Sequence, residues 1–207
     1  MEGAEEIQFS MDIPADWKVM DFSRRGRKDY AKKQSMRIIE QVPALHIYRK
    51  KLEDVLFKEL TSSWAMGVRY GASLAVPTMD GLLSASITVS VLPPPPGQEN
   101  VSVFDAIAAT VHQNDEESSG DSESDISQVS IPEAGMALRV LGHRVLRPQE
   151  AAQGVKYSIF QTYVPFGGRI VLVMGQTFCT DVETQLFELF DLITGTLSLR
   201  IDGGGQR

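Results

Sequence analysis

Apolar residues recur along this chain in two periods, and the switch between them is sharpest in residues 155–201. Residues 157–164 and 169–178 are rich in aromatic and β-branched side chains, the composition of strands. Pro165-Phe166-Gly167-Gly168 separates them, and its paired glycines permit the positive φ of a tight reversal. Residues 170–174 are apolar without interruption, which predicts a strand covered on both faces and central in its sheet. At Thr180 the period changes. Thr180 and Glu183 form the S/T-x-x-E pattern that caps a helix start. Val182, Leu186, Leu189, Phe190, Ile193 and Leu197 follow at helical spacing, a stripe suited to lying on the sheet.

The preceding chain reads as parts that complete this sheet. Ile7, Phe9, Met11 and Ile13 alternate with polar residues, predicting a strand with one buried face. Pro14-Ala15-Asp16 turns the chain, and residues 17–19 begin a second short strand. Two helices follow. The first, 23–41, has Ala31, Ile38, Ile39 and Val42 as its expected inner edge, and Pro43 marks the junction. The second repeats Leu45, Tyr48, Leu52, Val55, Leu56, Leu60 and Trp64 at steps of three or four until Gly67. Residues 68–76 and 82–92 predict a hairpin around Asp80-Gly81, with Leu83, Ala85, Ile87, Val89 and Val91 alternating with serines and a threonine. The prolines 93–96 end that arm; they also satisfy P-x-x-P, the spacing of a polyproline ligand. A short helix from Ser102 carries Val103, Ile107 and Val111 and ends near Gln113. Residues 114–125 hold six acids and no base, predicting a disordered acidic surface loop. Strands at 128–131 and 136–146, a connector over 148–154 and a flexible tail over 202–207 complete the list. Together the elements predict a single α+β domain over residues 1–201, a largely antiparallel sheet with helices packed against it.

Composition narrows the class of protein. The 207 residues are 43% hydrophobic and 23% charged, as in a chain that buries a full core. Nothing approaches the ~18 consecutive apolar residues of a membrane span. The acidic first residues lack a signal peptide's layout, and a single cysteine fits a reducing compartment, so a cytoplasmic location is expected. The net charge of −7 is divided unevenly, because residues 24–58 hold eleven Lys or Arg against four Asp or Glu.

Candidate chemistry is sparse. His46, His112 and His143 are far apart in sequence, and no zinc, nucleophile-elbow or phosphate-loop motif occurs. No residue set calls for a catalytic role, a metal or a cofactor, and an enzyme is the less favoured reading. Cys179 precedes the capped helix, where a helix dipole favours thiolate; the plainer reading is a small apolar residue completing the strand. His46 reads as a hydrogen-bonded edge residue of the second helix. Arg24, Arg25, Arg27, Lys28, Lys32, Lys33 and Arg37 form the one dense basic segment. They suit a solvated helix face, an acidic protein partner, or the chain's own acidic loop. Nucleic acid and anionic membrane are disfavoured by the acidic remainder, by Tyr30 as the only interleaved aromatic, and by the lack of a wide apolar face.

Phe-Ser-Met-Asp-Ile-Pro-Ala-Asp-Trp, residues 9–17, resembles the F-x-x-x-x-P-x-x-W phrase that opens many chains of the PsbP-like group. That group includes the DcrB-type proteins and the Eag chaperones of type VI secretion. Asp-Gly-Leu-Leu-Ser-Ala-Ser-Ile-Thr-Val, residues 80–89, is similar to small actinobacterial proteins. The helices between Ser23 and Gly67 depart from the group, whose early region holds strands and loops. The resemblance implies a PsbP-like sandwich and a non-enzymatic adaptor or chaperone role, with a link to a secretion system. It supplies no site residues. The leading expectation is therefore a cytoplasmic interaction module that contacts a partner with an acidic surface through its helical pair. The alternative is a small-molecule-binding protein or enzyme with a pocket between sheet and helices.

Overall fold

The computed structural model describes residues 7–79, 81–94, 102–117, 124–146 and 154–201. Strands β3 (Val68–Thr78) and β4 (Gly81–Leu92), β5 (Ser124–Ile131) and β6 (Gly135–Leu146), and β7 (Val155–Phe166) and β8 (Arg169–Thr177) form three hairpins. Antiparallel pairing of β4 with β8 and of β6 with β7 joins them, and β2 (Lys18–Asp21) adds to β3. The result is a seven-stranded sheet in the order β2-β3-β4-β8-β7-β6-β5. A separate two-stranded sheet pairs β1 (Ile7–Ser10) with β9 (Ser198–Ile201), antiparallel, Ile7 opposite Ile201. The fold is α+β.

Helices cover both faces of the large sheet. Alternate residues of β8 point opposite ways. Ile170 is buried with Leu138, Val140 and the Ile107 and Val111 side chains of α3 (Val103–Glu117). Val171 and Val173 bury the other face, with Leu186, Phe190 and Ile193 of α4 (Glu183–Gly195). The uninterrupted apolar run thus marks a central strand, as its composition predicts. The remaining helices, α1 (Arg24–Gln41) and α2 (Arg49–Ala65), are joined by a 3-10 turn at Pro43–Tyr48 and pack on each other beside β2 and β3.

Phe190 is the centre of the larger core. It is wholly buried, edge-on to Trp17 with ring centroids 6.3 Å apart and tilted against Phe160 at 5.7 Å. Its ring lies flat on the backbone of Gly175: a Cβ placed there would stand 2.6 Å from the ring atoms. Glycine is required at 175 because of what sits on it.

Several expectations are corrected. The stretch 114–125 is not a loop throughout, since α3 continues to Glu117 and β5 begins at Ser124, opposite Gly142. Helix propagation gains a hydrogen bond per residue, and β5 gains a full ladder on β6, which outweighs the polar composition. Residues 118–123 and the 202–207 tail lie outside the described residues. Neither the 3-10 turn Thr180–Val182 nor α4 has a side-chain cap, since Cys179 and Val182 stand at the cap positions, and the Glu183 carboxylate bonds His143 and Ser158. Leu189 is half-buried and Val182 exposed, so the buried stripe narrows to Leu186, Phe190 and Ile193 on α4 and Leu197 just past its end.

Phe190→Ala should lower unfolding free energy by about 3–5 kcal/mol, the usual cost of deleting a wholly buried aromatic ring. Gly175→Ala should also destabilise, since the ring must move off the sheet to admit a methyl group. Leu189→Ala should cost clearly less than either. Denaturant unfolding of the three variants checks the order; equal losses at 189 and 190 would refute this core assignment.

Candidate interaction surface

The first turn of α1 explains how the helical pair is rooted. Ser23 caps it, its Oγ accepting from the Gly26 amide at 3.0 Å. Asp21, the last residue of β2, accepts from the Ser23 amide at 2.7 Å and from the Ser23 hydroxyl at 2.8 Å. Those two hydrogen bonds, with the nearby Arg27 charge, hold the Asp21 carboxyl below its ordinary value despite slight burial. Gly26 leaves room for that carboxylate, since a Cβ would come within 2.4 Å of Asp21 Cγ.

Arg27 belongs to this root and not to an exposed basic face. It is 6% exposed, donates to the Phe22 carbonyl at 2.5 Å, and places its guanidinium 4.9 Å from the Trp64 ring of α2. Arg69 of β3 stacks on the same indole, also at 4.9 Å, and donates to the Trp64 carbonyl. Two cations thus share one indole and fasten both helices to the sheet. The inner edge of α1 is Arg27, Ala31 and Ser35, all buried, while Ile38 and Ile39 are half-buried and Val42 is exposed. A stripe with a charge and a hydroxyl in it has no clear hydrophobic period. Of the four residues expected there, Ala31 is buried, Ile38 and Ile39 only partly so, and Val42 is not, while Arg27 and Ser35 gave no sign of it.

The other six basic residues lie outward. Arg24, Arg25, Lys28, Lys32, Lys33 and Arg37 are exposed on α1, and Arg49, Lys50 and Lys51 are exposed at the start of α2. The Arg25–Asp29 ion pair, 3.9 Å and open to solvent, does little to fix them. Lys28 Nζ lies 6.0 Å from the Phe57 ring centroid. Large apolar side chains stand among these cations. Ile47 is 79% exposed, and Tyr48, Val55 and Trp64 are each about half exposed. No residue of α2 or of the 3-10 turn is buried. At the tip, Leu45, Tyr48, Lys51, Leu52 and Val55 line a shallow apolar notch of about 190 Å³.

The basic segment lies apart from Ser124, where the chain is described again after the acidic stretch. The helical pair hangs on β2 and β3, and Ser124 opens β5 at the opposite edge. Six strand spacings of ~4.8 Å separate the edges by about 29 Å.

The polar side chains of the sheet cluster elsewhere. His143 and Ser158 are cross-strand partners on β6 and β7, and both bond Glu183 at the start of α4. The distances are 2.8 Å from His143 Nε2 and 2.5 Å from Ser158 Oγ. Ser158 donates to the carboxylate, not to the imidazole, and is wholly buried, so it lacks the access of a nucleophile. Burial alone would raise the Glu183 carboxyl, but the hydrogen bonds from Ser158 and His143 and the charges of His143 and Lys156 lower it further. Farther along α4, Asp191 accepts from Arg139 at 2.8 Å, and Arg139 lies over the Phe160 ring at 4.1 Å. These two contacts clamp α4 to β6 and β7. Three residues at 143, 158 and 183 gave no signal in sequence because only strand register brings them together.

Cys179 is half-buried, its Sγ accepting from the Ser84 amide and donating to the Leu82 carbonyl, each at 3.3 Å. It lines a groove between the β3–β4 turn and α4. The groove, about 670 Å³, is walled by Leu74, Leu82, Leu83, Val182, Leu186 and Leu189, with Asp181 at its rim. His46 is exposed on the 3-10 turn and His112 is exposed on α3. Among the described residues no helix is long and apolar enough to cross a membrane.

No protein-family model and no curated protein matches this chain. Among solved structures it is similar to LpqN of Mycobacterium tuberculosis, described as involved in cell envelope biogenesis. Identity is 13% and the TM-score 0.44, over 96% of this chain and 86% of that one. It is also similar to PsbP (CyanoP) of Synechocystis sp. PCC 6803, at 11% identity and a TM-score of 0.38, over 96% and 95%.

Glu183→Gln should destabilise the protein at neutral pH by about 1.5–3 kcal/mol, the range for hydrogen bonds to a charged group. A carboxyl held low when folded stabilises above its unfolded pKa, and that contribution is lost as pH falls through the folded value. The gap between parent and variant should therefore close toward acid. Denaturant unfolding across a pH series checks this; a gap unchanged down to acid pH would refute it.

Proposed function

We propose that this chain is a cytoplasmic, non-enzymatic interaction module, an adaptor or chaperone, whose α1–α2 pair captures a partner protein with an acidic surface. The observation that carries this reading is α2 itself. Its seventeen residues include none that is buried, yet Val55 stands half in water near Ile47 and Tyr48 at the tip. A helix that served only its own fold would turn its apolar stripe inward. The surrounding cations select the partner's charge. Apolar anchors supply the area, and charge supplies orientation and rate of encounter.

Nucleic acid fits less well. Arg27 is withdrawn into the fold, Tyr30 is half-buried, and the chain outside residues 24–58 is strongly acidic.

Changing Arg24, Arg25, Lys28 and Lys32 to Glu should leave folding intact and weaken capture of the partner, first identified by affinity purification and then reconstituted as a purified pair. Charge-steered contact is screened over ~10 Å at 0.1 M salt, so parent capture should also weaken as salt rises. Capture unaltered by the reversals at any salt would overturn the proposal. So would tight, reversal-sensitive binding to random oligonucleotides at physiological salt. Arg27→Ala should differ in kind, lowering thermal stability because it removes the root of the pair.

A further inference from the structure

The groove between the β3–β4 turn and α4 matches the tip of the helical pair in size, apolarity and charge. Its volume, about 670 Å³, is in the range that takes a few large side chains. Leu82 at its lip is 58% exposed, and Val182 is 37% exposed. The segment 180–199 contains Asp181, Glu183, Glu188 and Asp191 and no Lys or Arg. Glu183 and Asp191 are bonded to His143 and Arg139, whereas Asp181 and Glu188 face outward. The tip is the converse: Ile47 and Tyr48 project, and Arg49-Lys50-Lys51 follows directly.

We propose that a second copy of this chain is a partner of the helical pair, its groove receiving the tip of the first. The inference rests on the docking role assigned to that pair. A symmetric tip-to-tip contact is disfavoured, because it would oppose two surfaces of like positive charge. Tip into groove pairs cation with acid and leucine with isoleucine. Such a contact is heterologous: each copy presents both halves, so association continues head to tail.

Sedimentation of the full chain over rising concentration tests this. The weight-average mass should climb at low salt and fall back as salt is added. Ile47→Glu spoils only the tip, and Leu82→Glu spoils only the groove. Each alone should stay monomeric. Mixed, they should give a species of twice the monomer mass and nothing larger, because one intact tip meets one intact groove. If either variant unfolds by circular dichroism, the exposed pair Lys51→Glu and Asp181→Lys serves in its place: each alone should associate less than the parent, and mixing the two should restore association. A parent that is monomeric throughout, or mixed variants that do not associate, would overturn the inference. Retained capture of an acidic partner by that monomeric parent, lost on charge reversal, would show the docking role surviving without self-association.

Discussion

The seat of Phe190 on Gly175 sets the geometry of this fold. The ring touches the sheet where no side chain intervenes, and Trp17 and Phe160 close around it. Through Trp17 the same ring holds the approach to β2, and through α4 it fixes the position of β9. A glycine at the centre of a sheet ordinarily weakens a strand. Here the lost side chain lets a helix approach a strand closely, and the aromatic contacts offset the cost. The Glu183 and Arg139 clamps then stop α4 from sliding along the sheet.

The molecule is held together in two different ways. Around Phe190 the packing is mainly apolar, with the buried Arg139 guanidinium over Phe160 at its margin. At the root of the helical pair it is cationic, with Arg27 and Arg69 both on one indole and Asp21 holding the first turn. The second arrangement orders a pair of helices without hiding their apolar residues. That leaves Ile47, Tyr48 and Val55 in water.

What could be read from the sequence followed the length and purity of each pattern. The β7–β8 turn, the alternation in β4 and the buried stripe of α4 were all legible, because each repeats over several residues and reports one environment. β9 was not: four residues after a helix, with only Leu199 buried, offer no period to recognise. The Thr180–Glu183 pattern misled, since a carboxylate three residues into a helix can bond sideways to other strands as readily as back to its cap. Arg27 misled for a related reason. A guanidinium reads as surface by composition, and only the indole contributed by a distant helix takes it inside. Strand order depended on the β4–β8 pairing, which joins residues far apart in sequence.

The pairing of β1 with β9 has a consequence for how the chain comes into being. Ile7 finds its partner only when Ile201 exists, so β1 is placed only after the roughly 190 residues that follow it have been made. Trp17 waits as well, because Phe190 is synthesised late. The helical pair needs mostly local contacts and can form while the rest is still emerging. During synthesis the helical pair can therefore be complete while β1 still lacks β9, the strand that pairs with it.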